Sequence, residues 1–347
     1  MKRGLRIIVT AVIAALGLGV AATAAEELLG AGATFPYPLY SKMFFEYNQK
    51  YGVKVNYQAI GSGGGILQVE NRTVDFGASD AFIPDSELAR MGRKIIHVPT
   101  CAGAVAITYN LPKKPVLNLP PEVLTAIFMG KITKWNDPKI TQHNPGIALP
   151  NQNIVVVYRS DGSGTTYIFT QYLAQVSNMW KTAVGAGKSV RWPVGVGAKG
   201  NAGVAALVGQ IPGSVGYIET IYARQNTMPM GRLRNKVGVF VAPDFAAISA
   251  AADAPDVPED TRTLLINSAA KNSYPIVGLT WIVVDQEQNF KNRSRARALA
   301  TAKLIQWMVT GGQTYARELG FAPLSADLQK KALANLKKIS YNGQPLL

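Results

Sequence analysis

Apolar residues along this chain recur with two periods. Val53-Lys54-Val55-Asn56-Tyr57 alternates as a half-buried strand does, while Leu39, Met43, Phe44 and Tyr47 lie three to four apart, on one face of a helix. Both patterns repeat. Strands are predicted at 27–29, 53–57, 74–80, 154–157 and 214–218, and longer apolar runs at 94–99, 101–109 and 276–284 read as buried strands. Helices are predicted after Pro36, at 121–129, from 167 onward, and at 201–210, the last of these rich in small residues. Ala296, Leu299, Ala300, Leu304, Trp307 and Met308 define the last long core helix, and the Ala- and Asp-rich stretch 246–260 reads as mobile surface. Strands alternating with helices throughout indicate an α/β fold with largely parallel sheets.

The junctions carry the candidate chemistry. Tyr158-Arg159-Ser160-Asp161-Gly162-Ser163-Gly164-Thr165-Thr166 lies between an apolar β-branched run and a helical pattern. A strand, a glycine loop and a helix start in that order aim free N–H groups and the positive end of a helix dipole at one point, which suits a small anion. Ser163, Thr165 and Thr166 add hydroxyl donors. Arg159 adds a forked cation that matches a tetrahedral oxyanion, and Asp161 is placed to hold it. The same stretch in isolation also reads as a surface turn that caps a helix. Gly30-Ala31-Gly32-Ala33-Thr34-Phe35-Pro36 begins like a dinucleotide fingerprint, but Phe35 stands at the final glycine position; its Thr34 hydroxyl and N–H groups could face a ligand. Ile60-Gly61-Ser62-Gly63-Gly64-Gly65-Ile66 lacks the lysine a P-loop needs. Asp80, at the end of the 74–80 strand, taken alone reads as a helix cap. Ligands of open α/β sheets sit at strand C-terminal ends, so two facing lobes would bring these loops to one cleft.

Composition narrows the setting. Residues 1–25 run from a basic start, Met1-Lys2-Arg3-Gly4-Leu5-Arg6, through an apolar stretch to Ala21-Ala22-Thr23-Ala24-Ala25, and are read as a secretory signal peptide. No cysteine follows it to take a lipid anchor. About 322 residues would remain, more than one core usually serves, so two lobes are expected. The formal charge of +15 falls to +12 once Lys2, Arg3 and Arg6 leave. Export argues against nucleic acid as the partner of that charge, and the cluster from Lys291 to Arg297 reads as the solvated start of a helix. The single cysteine, Cys101, lies in an apolar run and reads as a buried side chain. No cluster has metal-ligand spacing, and no cofactor is expected.

Several junctions together resemble the phosphate-binding protein family of bacterial phosphate ABC transporters: residues 30–36, Val74-Asp75-Phe76-Gly77-Ala78-Ser79-Asp80, and Asp161-Gly162-Ser163-Gly164-Thr165, supported by Ile60-Gly61-Ser62 and Gly130-Lys131-Ile132-Thr133-Lys134-Trp135. The resemblance runs from about residue 28 to the C-terminal region and is weakest from 222 to 272. It implies a two-lobed periplasmic binding protein fold of type II, with two mixed, largely parallel sheets, helices on both faces and a hinge of two crossovers near Thr100 and Tyr274-Pro275. Lobe 1 would comprise 26–100 and 275–347, and lobe 2 would comprise 101–274. It further implies that a phosphate is held by Thr34, the N–H of Phe35, Ser62, Asp80, Arg159, Ser163, Gly164 and Thr165, with Asp161 behind Arg159. Gly63 departs from the family, where serine is frequent. The implied protein is a periplasmic monomer that delivers phosphate to membrane permease subunits driven by a cytoplasmic ATPase.

A carboxylate facing an anion makes sense only if the anion carries a proton, as phosphate does near neutral pH and sulfate does not. Asp80 is therefore expected to set phosphate over sulfate. The alternatives are a binding protein for another oxyanion, arsenate (the closest mimic) or sulfate, or a secreted phosphatase. The latter would use Gly77-Ala78-Ser79-Asp80-Ala81 as a loose nucleophile elbow, with His97 or His143, the only histidines, as base.

Overall fold

The computed structural model describes residues 27–253 and 256–347. The predicted signal peptide lies outside them. Eight strands form one ladder: β1 (Glu27–Gly32), β2 (Lys54–Ala59), β3 (Phe76–Ser79), β4 (Ile95–Tyr109), β5 (Val155–Arg159), β6 (Val196–Ala198), β7 (Ser214–Glu219) and β8 (Val277–Asp285), in the spatial order β2-β1-β3-β8-β4-β7-β5-β6. β1 pairs in parallel with β2 and β3, and β5 in parallel with β6 and β7. β8 and β4 run antiparallel to each other and to their outer neighbours, β3 and β7.

The two expected sheets thus share one strand. β4 is buried along all 15 residues; its first part, to Ala104, pairs with β8, and Val105–Tyr109 pairs with β7. The run Cys101-Ala102-Gly103-Ala104-Val105-Ala106-Ile107 is apolar without alternation because both faces of this strand are covered. The β4–β8 register slips between Thr280 and Trp281, leaving Thr100 as the extra residue of a bulge. Thr100 is fully buried; its Oγ1 donates to the Thr280 carbonyl (3.1 Å) and shares a hydrogen bond with the Tyr40 hydroxyl (2.7 Å). Cys101 is buried as expected, and burial drives its thiol pKa far up.

Three local readings change. Residues 246–260 are not all open surface. Phe245–Ala252 is a helix capped by Asp244, whose Oδ1 accepts from the Ala247 N–H (2.9 Å), and it buries Ala247, Ile248 and Ala251. Further on, the backbone of 257–261, grouped by sequence with lobe 2, accepts hydrogen bonds from Lys331, Asn335 and Trp281, and Arg262 donates to the Ile83 carbonyl. The helix Arg295–Met308 buries Ala298, Ala302, Leu304, Ile305 and Met308, leaving Ala296 exposed and Leu299 and Ala300 half-buried; its small residues carry little phase. It is not the last core helix, because Ala326–Leu336 follows and buries Leu328, Ala332 and Leu336.

The cation cluster is a helix start that is only partly solvated: Lys291 and Arg295 are exposed, but Arg293 is buried and Arg297 half-buried. Asp75, 6% exposed, receives the Arg297 guanidinium through Nε and Nη2 (2.7 Å each), pairs with Arg293 at 3.1 Å, and accepts the Leu29 N–H at 2.6 Å. These charges tie the Arg295–Met308 helix to the ends of β1 and β3. Asp75→Ala would leave the buried Arg293 without this counter-charge. We expect it to cost about 3–5 kcal/mol and to lower Tm by roughly 5–10 °C in a calorimetric melt. A shift under about 1 °C would mean that the cluster is a surface feature after all.

Candidate functional site

Four strand ends lead into four helix starts: β1 into α1 (Tyr37–Tyr51), β2 into α2 (Ser62–Glu70), β5 into α3 (Gly164–Val176) and β6 into α4 (Gly200–Gln210). The predicted loops at 30–36, 60–66 and 158–166 are the first three of these junctions; the predicted loop at Asp80 follows β3, and the β6–α4 junction has no counterpart among the predicted loops. Glycine sits where the backbone needs it, as at Gly61 (φ 90°), the cap of α2.

From the first lobe, Ser62 and Asp80 meet at full burial. Ser62 Oγ accepts the Asp80 N–H (3.0 Å) and donates to Asp80 Oδ2 (3.3 Å). Asp80 Oδ1 accepts from Thr280 Oγ1 (2.7 Å). Asp80 caps no helix, because the next one starts at Asp85 behind Pro84. Burial pushes the Asp80 carboxyl up to about 7; the hydrogen bond from Thr280, the charge of Arg159 and the bond from Ser62 pull the other way but do not cancel it.

From the second lobe, Arg159 is held with its side chain 1% exposed. Its Nε and Nη2 grip the two oxygens of Asp161 at 2.8 and 2.5 Å, and its Nη1 donates to Thr165 Oγ1 at 3.2 Å. Burial would raise the Asp161 pKa, but the hydrogen bonds and charge of Arg159, with the Gly200 N–H (2.9 Å), hold it below the ordinary carboxylate value. Ser163 caps α3 by accepting the Thr166 N–H (3.0 Å), so the N–H groups of Gly164 and Thr165 open the helix with no acceptor inside it. Thr166 also shares a hydrogen bond with the Tyr217 hydroxyl (2.6 Å), which accepts the Arg159 N–H (3.0 Å) and so fixes the strand end.

The two lobes touch across this site. The Gly63 N–H donates to the Gly162 carbonyl at 2.8 Å. Asn201 Nδ2 reaches Thr34 Oγ1 (2.9 Å) on one side and Thr165 Oγ1 (3.1 Å) on the other. The Tyr222 hydroxyl donates to the Thr34 carbonyl, and Lys188 pairs with Glu87 at 3.1 Å. A Cβ on Gly164 would lie 2.5 Å from both Asp80 Oδ2 and Ser62 Oγ. This is a closed arrangement.

The residues that the resemblance implies for the anion fall within this one locus. Thr34, Ser62, Asp80, Arg159, Ser163, Gly164 and Thr165 are buried, Asp161 is half-buried, and Phe35 follows Thr34 with its ring packed on Phe321. Sequence reasoning passed over Asn201, Thr280, Tyr217 and Tyr222. Thr280 had a signal, as the one polar side chain in the apolar run 276–284. Asn201 was legible only as the first residue of a helix. The elements of a hydrolase are engaged elsewhere: Ser79 donates to the Ala81 carbonyl, and His97 Nε2 accepts the Ile83 N–H (3.1 Å) with its pKa held down to about 3 by burial. His143 contacts Gln142 and lies against Phe240. The described residues hold no group of three His, Cys, Asp or Glu suited to a metal, and no helix among them is long and apolar enough to cross a membrane.

Because Arg159 and Asp161 largely cancel, the field at this point comes from helix N-termini and hydroxyl groups, an arrangement for a small anion. Two lobes joined through β4 and β8 and closed on such a cluster define a periplasmic binding protein. The family model described as a PBP superfamily domain matches residues 19–311. The chain is 43% identical over 308 residues to phosphate-binding protein PstS of Haemophilus influenzae, covering 88% of this chain and 90% of that protein. It is 42% identical over 315 residues to PstS of Xylella fastidiosa strain Temecula1, covering 89% and 84%. It belongs to the PstS family of phosphate-binding proteins. The periplasmic phosphate-binding protein PfluDING, solved with phosphate bound, shares the fold at TM-score 0.71 and 23% identity, covering 89% of this chain and 93% of that one. A human phosphate-binding apolipoprotein does so at 0.72 and 20%, covering 92% and 99%.

Gly164→Ala tests the closed arrangement. Alanine favours the first turn of α3, so any cost arises from the contact with Asp80 and Ser62. We expect a protein that melts cooperatively but has a larger radius of gyration than the parent in small-angle scattering; equal radii would refute the close approach. Asp80 adds a pH signature in anion-stripped protein. Its folded pKa is raised, so folding favours the protonated form and stability falls as pH rises from about 4 to about 7, then levels. Asp80→Asn should flatten that segment of a Tm-against-pH curve, and an unchanged slope would exclude Asp80 as its source.

Proposed function

We propose that this chain captures inorganic phosphate between its lobes, outside the cytoplasmic membrane, and hands it as a monomer to the permease subunits of an ABC importer with a cytoplasmic ATPase. It performs no turnover. The observation that carries this reading is the buried Asp80 carboxyl, fixed by Thr280 and Ser62, set against the N-terminal turn of α3 at Gly164. Most of the locus donates hydrogen bonds, whereas an ionised carboxylate only accepts them. Membership of the PstS family supports the same ligand.

In this reading the N–H groups of Phe35, Gly164 and Thr165 donate to the anion, with the hydroxyls of Thr34, Ser163 and Thr165, and that of Ser62 once its proton turns from Asp80 Oδ2 to the ligand. Arg159, its charge largely balanced by Asp161, adds a guanidinium donor. The donor count is high and the net charge low, which lets the anion bind without its water while each charge-assisted hydrogen bond contributes about 1.5–3 kcal/mol net. A proton remains between ligand and Asp80, whose carboxyl titrates near neutrality. Sulfate brings no such proton and meets the ionised carboxylate with its own oxygen. Arsenate, protonated and nearly isosteric, passes the same test.

Calorimetric titration of anion-stripped protein decides the matter. Phosphate should bind tightly and sulfate at least about 10⁴-fold more weakly. Asp80→Asn should narrow that ratio by tenfold or more. Comparable affinities in the parent protein would remove the proton-reading role of Asp80, and silence with both anions would sink the phosphate reading.

A further inference from the structure

Asn201 touches both halves of the candidate site, yet its place follows from neither the loops nor the charges. It is fully buried at the start of α4. Its amide oxygen accepts the Glu219 N–H at 2.9 Å. That bond fixes which end of the amide is the donor. Its Nδ2 therefore faces two hydroxyls, Thr34 Oγ1 at 2.9 Å and Thr165 Oγ1 at 3.1 Å, and its own backbone N–H adds a third donor contact, to Thr34 Oγ1 at 3.2 Å.

A hydroxyl has one proton and two lone pairs. Thr34 Oγ1 accepts from the backbone N–H and the side-chain amide of Asn201. Thr165 Oγ1 accepts from Asn201 Nδ2 and from Arg159 Nη1. Both oxygens have their accepting capacity filled by the protein, so what each can still offer is its proton. The two threonines come from opposite lobes, and Asn201 bridges them with one amide group.

We propose that Asn201 is a positioning residue: it turns the hydroxyl protons of Thr34 and Thr165 toward the bound anion, and because it binds both lobes it ties ligand capture to closure. This rests on the phosphate reading above. Tyr222, whose hydroxyl donates to the Thr34 carbonyl, steadies the same loop from the same lobe. Glu219, fully buried and capping the helix Thr220–Gln225 through the Ile221 N–H (2.6 Å), holds the strand end that orients the amide.

The test compares parent, Asn201→Ala and Asn201→Asp, each stripped of anion, checked by thermal melt and titrated with inorganic phosphate at pH 8 and pH 5. Asn201→Ala should bind about 10–100-fold more weakly, with a larger radius of gyration at saturating phosphate, because two hydroxyls and one interlobe bridge lose their donor. Asn201→Asp keeps the shape but presents an acceptor at pH 8, pulling the hydroxyl protons away from the ligand. Its loss should be at least as large there and should shrink, relative to the parent at each pH, at pH 5, where a protonated carboxyl again donates. Asn201→Ala within threefold of the parent, or an Asn201→Asp deficit equal at both pH values, overturns the proposal. Should Asn201→Ala lose its cooperative melt, the isosteric aspartate variant decides alone. A parent protein that does not bind phosphate fails the functional reading instead, and the inference falls with it.

Discussion

The constraint on which this structure depends is the distance between two backbones. The loops before α2 and α3 meet with the Gly63 N–H on the Gly162 carbonyl at 2.8 Å, and a Cβ at Gly61 or Gly164 would overlap the opposite lobe. Gly61 serves its turn (φ 90°), and glycine there and at Gly63, Gly162 and Gly164 also lets the two lobes approach closely enough to exclude water. Once water is excluded, each hydrogen bond there strengthens and each unpaired charge becomes costly. The rest of the site answers that cost. Arg159 is neutralised by Asp161, the hydroxyls are already engaged by protein donors, and the Asp80 carboxyl is raised toward neutrality by its burial.

Much of this was legible in the sequence because strand-to-helix junctions carry their own signature. The alternation of Val53–Tyr57, the β-branched run before Arg159, and the Gly, Ser and Thr that follow marked where backbone donors would gather. The fold class followed from the order of those junctions. Asp80 was different: alone it looked like a helix cap, and only its company in the family resemblance placed it at an anion. The structure agrees that it is no cap, since its partners are Ser62 and Thr280.

What escaped the sequence escaped for physical reasons. Asn201 lies well over a hundred residues from Thr34, and nothing local to either predicts that their side chains will share a hydrogen bond. The Lys291–Arg297 cluster looked solvated because charge runs usually are, yet Asp75, from a strand far away in sequence, draws Arg293 and Arg297 inward. The helix Arg295–Met308 buries Leu304, Trp307 and Met308 as expected but is misphased in its first turns, because alanine and threonine on several faces blur the 3.6-residue period that separates buried from exposed. Likewise an alanine-rich stretch near 246–252 reads as surface until an aspartate cap and a neighbouring helix-covered sheet give its small residues something to bury against.

The bulge between the two crossover strands and the site share a residue. Thr280 lies at the β4–β8 bulge, where its carbonyl accepts from Thr100, and from the same position its hydroxyl holds Asp80. Thr100 in turn is bonded to Tyr40 on α1, the helix that begins just after Thr34. A change in the relative twist of β4 and β8 would therefore strain the network around the Asp80 carboxyl. It would act on either the hydroxyl that holds that carboxyl or the loop whose threonine meets Asn201. The ladder is continuous: the strand that carries the chain between lobes pairs with the strand whose Thr280 holds the carboxylate, so the crossover and the candidate site belong to one hydrogen-bonded network.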